Sequence, residues 1–144
     1  METVNRKAYY DYYILKEIES GIELKGTEVK SIKKGSVDLK DTFVTIKNNE
    51  AYIINMYVAK YNEGNIFNHD ERRTRKLLLH KSEIKKLKEE CLIEGNTLVP
   101  LKLYFKNGKV KILIAVCKGK KLYDKRETIK KRDLERENSR NYSY

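Results

Sequence analysis

The side chains of this chain best suited to metal binding or covalent chemistry are two histidines, two cysteines and a scatter of carboxylates. His69, His80, Cys91 and Cys117 form no C-x-x-C or H-x-x-x-H pair, so zinc spacing is missing. Both cysteines are expected to be reduced and buried, as is usual for two thiols in a basic soluble chain. Glu19, Glu23 and Glu28 lie close in sequence, and a metal-dependent nuclease would need such acids. No companion base, nucleophile or further ligand accompanies them. P-loop, dinucleotide and nucleophile-elbow patterns are absent. No catalytic residue, metal or cofactor is therefore expected. A carboxylate accepts hydrogen bonds but donates none, so Glu19 or Glu28 amid lysines is suited to receive the amino groups of nucleic-acid bases.

The cations carry the stronger message. Thirty-two Lys and Arg against 21 Asp and Glu leave a net charge of +11, which draws polyanions. Three clusters stand out: Lys25, Lys30, Lys33 and Lys34; Arg72, Arg73, Arg75, Lys76 and Lys81; and KGKKLYDKRETIKKR, Lys118 to Arg132. Any one of them could be an ordinary solvated face. Together with the charge imbalance they point to phosphates, since each neutralised phosphate releases counterions and adds affinity. Nothing approaches the apolar run of about 18 residues that a membrane span needs. No secretory leader opens the chain, so a cytoplasmic protein with no membrane partner is expected. Most of the eleven tyrosines are expected to pack in the core or on strands. Tyr123, flanked by cations, is the better candidate to stack on a base.

The elements that must position these residues are mostly strands. YYDYYILKEIE, Tyr9 to Glu19, predicts a strand ending at the turn signal Ser20-Gly21, with its tyrosines on alternate faces. A two-turn helix follows, with Thr27 as N-cap and Val29 and Ile32 as its apolar pair, although the same pair also fits a strand. Asn48-Asn49 and Asn107-Gly108 each join two apolar runs and mark hairpins. Pro100 predicts an edge or bulge. The polar stretch from Asn62 to Lys76 is a long connection. Ile84, Leu87 and Cys91, at i, i+3 and i+7, predict an amphipathic helix ending at Gly95, with His80 either its surface start or an RNA contact. Five or six strands with turns between them suggest a small closed or partly closed barrel. Beyond Asp124 only Ile129 and Leu134 are sizeable aliphatics before Asn141. That is too little to offset an ordering cost of about 1–2 kcal/mol per residue, so a tail that is disordered alone and helical on a partner is expected.

Four blocks taken together resemble a known family. GTEVKS (Gly26 to Ser31), RTRKLLLH (Arg73 to His80), TLVPLKLYFKNGKVK (Thr97 to Lys111) and AVCKGKKLYDKRETIKKRD (Ala115 to Asp133) are similar to small protein B, the SsrA-binding or tmRNA-binding proteins of bacteria. The resemblance runs from Asn5 to about Asp133, with all blocks in order. It implies a mainly β fold with flanking α-helices: an oligonucleotide-binding (OB-like) antiparallel barrel over 1–122 and a basic tail over 123–144. It also implies a non-enzymatic adaptor that binds the tRNA-like domain of tmRNA and is delivered with it to stalled ribosomes in trans-translation. Partners would be tmRNA and the 70S ribosome with its 16S rRNA, with EF-Tu on the same tmRNA a candidate third.

By position in the motifs, Glu19, Glu28, Lys30, Leu78 and His80 match family sites tied to tmRNA. Lys33, Arg75 and Lys76 join them from the clusters, and Lys118, Gly119, Lys120 and Lys121 from the RNA-facing end of the barrel. Tyr123, Asp124, Lys125 and Arg126 match the segment tied to the decoding centre, and Ile129, Lys130, Lys131 and Arg132 begin the tail helix. Strand alternation sends Leu77 and Leu79 inward and turns Leu78 outward with Lys76 and His80. The competing reading of the charge and tyrosines alone is a general single-stranded RNA-binding barrel or RNA chaperone.

Overall fold

The computed structural model describes residues 2–61, 68–121 and 126. Short β1 (Glu2–Val4) leads into α1 (Arg6–Asp11), and the long strand β2 (Tyr12–Ile22) follows. Next come α2 (Gly26–Lys33), β3 (Val37–Asp38), β4 (Phe43–Lys47), β5 (Glu50–Ile54) and β6 (Tyr57–Val58). The chain continues through β7 (Arg75–Leu78), α3 (Lys81–Cys91), β8 (Asn96–Lys106) and β9 (Lys109–Gly119). The main sheet runs β1-β8-β4-β5-β7-β2-β9, every pair antiparallel, and β9 returns to pair with β8. That last pairing closes six strands into a ring, the barrel expected from the turn spacing. Closure removes exposed edges.

The hairpins stand where asparagine placed them. Asn48 and Asn49 both take positive φ (53° and 59°), as do Asn107 and Gly108 (52° and 75°), the conformation a two-residue primed turn demands. β8 shifts register between Pro100 and Lys102, so Pro100 sits at a bulge as anticipated. β2 shifts between Ile14 and Lys16, leaving Leu15 about half exposed. Such bulges bend long strands around a barrel. Inside lie Ile22, Val44, Ile53, Leu77, Leu103, Ile112 and Ile114, with Ile84 and Leu87 of α3 and Ile32 of α2 packed onto the same cluster.

Several expectations need correction. Tyr9 and Tyr10 are helical rather than extended, because Asn5 caps α1: its Oδ1 accepts from the Ala8 N–H at 3.2 Å. Ala8 then packs on Val99, Leu101, Ala115 and Cys117, a second cluster that overrides the β preference of tyrosine. Asn5 also donates through Nδ2 to the Pro100 carbonyl at 2.9 Å and through its backbone to Leu101. Asn5→Ala should therefore lower stability by about 1–2 kcal/mol, from the lost cap and the orphaned bulge carbonyl, measurable by urea denaturation. β2 does not stop at Ser20-Gly21 but pairs through Ile22. α3 ends at Cys91, short of Gly95. Cys91 is exposed and only Cys117 is buried; both are free thiols.

Candidate nucleic-acid interface

β7 reads RKLL with alternation as expected: Leu77 is buried, Leu78 is 54% exposed, and Leu79 packs partly against the core. The same alternation puts Arg75 on the Leu77 side. Arg75 has no exposed surface, and neither has Glu28, so the two residues expected to touch RNA face each other instead. Glu28 Oε2 accepts from Arg75 Nε, and Oε1 accepts from Arg73 Nη2 at 2.6 Å and from the Lys25 N–H at 2.8 Å. Arg75 Nη1 donates on to the carbonyls of Met56 (2.8 Å) and Arg73 (3.1 Å). A charge taken out of water must be paired and hydrogen-bonded, and here both conditions are met.

The Glu28 carboxyl lies below its ordinary value. Burial is the largest influence and pushes it up, but Arg73, the Lys25 amide and Arg75 together outweigh that. Burial pulls the Arg75 guanidinium down, with Glu28 opposing. The pair welds α2 to the start of β7. Glu28 also starts the helix, reaching back from the third helical position to the Lys25 amide, so Lys25 is the N-cap rather than Thr27. Thr27 is engaged elsewhere: its Oγ lies 2.9 Å from Nδ1 of buried His69, whose Nε2 faces the Val58 carbonyl at 2.9 Å. A carbonyl cannot donate, so Nε2 carries a proton, and in the neutral ring Nδ1 then accepts from Thr27.

On the outward side of β7 is a surface depression of about 510 Å³. Its lining brings together Glu19, Lys76, Leu78 and His80, four of the expected contacts, with Gly21, Lys81 and Lys111. His80 is the N-cap of α3 and is exposed; its N–H donates to Glu83 at 2.9 Å. Lys76 is 3.6 Å from Glu50. Glu19 accepts from Tyr104 Oη at 2.5 Å and from Lys106 at 3.4 Å. The tyrosine hydrogen bond is the largest influence holding its carboxyl below the ordinary value. Leu78 also borders a second depression that reaches Val29 of α2, next in sequence to Lys30. Lys30, Lys33 and Lys34 are exposed, and Lys30 and Lys34 lie 5.3 and 4.7 Å from the Tyr61 ring. An apolar ridge with cations on both sides and a carboxylate within reach can seat an unpaired base and its phosphates.

Lys118 to Lys121 are not part of this surface. Gly21 pairs with Lys111, whereas Tyr13 pairs with Lys118, eight residues back along β2. At ~3.3 Å per residue that places them roughly 25 Å away. Lys120 sits there over the Tyr13 ring at 5.0 Å. Of the tail residues, Arg126 is exposed, while Tyr123, Asp124, Lys125, Ile129, Lys130, Lys131 and Arg132 lie outside the described residues. Sequence reasoning missed Gly21, Tyr104 and Lys111. Gly21 had a readable signal, since an isolated glycine inside a strand marks close approach. A Cβ there would meet the Leu78 Cβ at 3.2 Å. Among the described residues no three of His, Cys, Asp and Glu gather to hold a metal, and no helix is long and apolar enough to cross a membrane.

Fold and surface together define a small closed antiparallel β-barrel with flanking helices, bearing a cation-rimmed apolar ridge on its outer wall. Comparison with known proteins narrows this. The family model described as SmpB protein matches residues 2–144. The SsrA-binding protein of Caldicellulosiruptor saccharolyticus is 59% identical over 133 residues, 92% of this chain and 84% of its own. That of Enterococcus faecalis is 54% identical over 136 residues, 94% and 88% respectively. A chain from the solved structure described as "tmRNA-SmpB: a journey to the center of the bacterial ribosome" superposes with a TM-score of 0.71 at 47% identity, covering 84% of this chain and 85% of that one. The chain belongs to the SmpB protein family.

Proposed function

We propose that this protein binds the tRNA-like domain of tmRNA and accompanies it to stalled ribosomes in trans-translation, as an adaptor that performs no chemistry itself. The observation that carries this reading is the shared depression, where Glu19, Lys76, Leu78 and His80 meet on one outward face. Family membership and relatives that are SsrA-binding proteins support it. In this reading the barrel, residues 1–122, holds tmRNA, and residues 123–144 enter the decoding centre and message channel. The site of action is the cytoplasm, with EF-Tu on the same RNA. The buried Glu28–Arg75 pair holds α2 and β7 in place and touches no RNA, so the direct contacts fall to Lys30, Lys33, Lys76, Leu78, His80 and Glu19. Lys118, Gly119, Lys120 and Lys121 meet a separate stretch of backbone.

A filter-binding comparison of tmRNA with a tRNA and an unstructured oligonucleotide tests this. Marked preference for tmRNA is expected. Equal, weak affinity for all three would refute it, and tight binding of the unstructured strand would point instead to a general RNA chaperone. Within that assay Leu78→Ala should weaken tmRNA binding about tenfold, since the exposed leucine offers ~1–2 kcal/mol of burial. Lys76→Ala should weaken it too and lower the salt slope by roughly one, the signature of one lost phosphate contact.

A further inference from the structure

An acid in a cationic surface weakens phosphate attraction, so Glu19 needs an explanation beyond charge. Strand register supplies one. Tyr104, Lys111, Gly21 and Leu78 lie opposite one another in a single row across β8, β9, β2 and β7. With strands ~4.8 Å apart, Tyr104 and Leu78 are about 14 Å from each other, and between them Gly21 presents no side chain. The floor of the depression at Gly21 is therefore closed by Leu78, whose Cβ and Cδ1 lie 3.2 and 3.5 Å from where a Cβ of residue 21 would stand, with Lys111 on the other side. Glu19 stands two residues along β2 from that floor and shares its lining.

Left to itself an exposed glutamate samples many rotamers. Here Tyr104 Oη donates to Oε2 at 2.5 Å, and Lys106 Nζ lies 3.4 Å from Oε1 and 3.5 Å from Oε2. We propose that Tyr104 is a positioning residue that fixes the Glu19 carboxylate beside Gly21, so that Oε1 accepts an N–H from an unpaired RNA base resting on Leu78. This rests on the tmRNA-binding reading of the same depression. A phosphate would be repelled by the carboxylate, whereas a base brings both the apolar face Leu78 needs and the donor Glu19 needs. Tyrosine serves better than a second lysine because it holds the acid without neutralising it. Burial first, and then Glu19, raise the phenol to about 12, so it stays a donor throughout the physiological range.

The experiment is a double-mutant cycle on binding of a tmRNA tRNA-like-domain transcript, with Tyr104→Phe, Glu19→Ala and both together. Tyr104→Phe should weaken binding about three- to tenfold with an unchanged salt slope, and should add nothing on the Glu19→Ala background. Thermal melts of each variant establish that the barrel is intact. Independently of RNA, an NMR titration of the Glu19 side chain in Tyr104→Phe should show its carboxyl moving up from its depressed value, since the Tyr104 hydrogen bond is the main cause of that depression. Equal losses in both backgrounds, no loss at all, or an unmoved carboxyl would each overturn the assignment. If the wild-type protein itself fails to prefer tmRNA over tRNA, the binding reading falls as well. If that preference holds and the cycle shows no coupling, only the role of Tyr104 is lost.

Discussion

Glu28→Gln is expected to destabilise the fold by about 3–5 kcal/mol, the usual cost of stripping one partner from a buried ion pair. That is a large share of the ~5–15 kcal/mol by which a domain of this size is stable. Glu28 and Arg75 are both without exposed surface, so Arg75 cannot turn to water when its counter-charge goes. Its links to the Met56 and Arg73 carbonyls remain but bring no negative charge. The new amide would also set an N–H against guanidinium donors where an acceptor stood. Replacing both members, as in Glu28→Leu with Arg75→Met, should cost much less than the two single changes added together, because no charge is then left buried alone.

Acid sensitivity follows from the same pair. The folded carboxyl lies below its ordinary value near 4.5, so the ionised form is favoured by folding. Its contribution is complete above that value and is lost as pH falls through the lower folded one. Urea midpoints of the wild type should fall as pH drops below about 4.5, and Glu28→Gln should show a shallower fall over that window. A variant that unfolds at the wild-type midpoint would contradict the whole account of this pair. RNA binding separates it from the surface lysines: where the variant is still folded, its salt slope should match the wild type, unlike that of Lys76→Ala.

The strands were legible because two-residue turns leave a strong local mark. Asn48-Asn49 and Asn107-Gly108 occupy positive-φ positions, and the apolar runs flanking them could pair only one way round. Outward Leu78 was legible from period two alone. Applied two residues earlier, the same rule would have turned Arg75 inward, but the expectation that arginine is exposed masked it. Glu28, 47 positions upstream, supplies the buried counter-charge that makes that burial tolerable, with nearby carbonyls taking the remaining donors. α1 was hidden for a related reason. Its tyrosines prefer strands, and the cap that overrules them depends on Asn5 meeting the Pro100 bulge, 95 residues away. The row joining Tyr104 to Leu78 crosses four strands and exists only once β2 has paired with both β9 and β7. Local patterns thus revealed elements and faces, whereas the site needed register between distant strands.

Removing residues 123–144 is expected to leave the barrel folded and tmRNA binding close to wild type, while abolishing tagging on stalled ribosomes in a reconstituted translation assay. Among the described residues, β8 and β9 close the ring, both core clusters draw on nothing beyond Cys117, and the chain is still tied to α1 by the Lys120 N–H to the Asp11 carbonyl at 2.8 Å. Charge gives the same answer. Residues 123–144 hold seven Lys or Arg against five Asp or Glu, contributing only +2 of the net +11, so nearly all the long-range attraction for RNA stays with the barrel. Those seven cations are interleaved with acids rather than massed, which suits a defined path along one partner better than general phosphate binding. Melting temperature, tmRNA affinity and tagging yield are to be measured on the same truncated protein. Loss of tmRNA affinity would show that the two ends of the chain bind one RNA surface together. Undiminished tagging would show that ribosome engagement resides in the barrel.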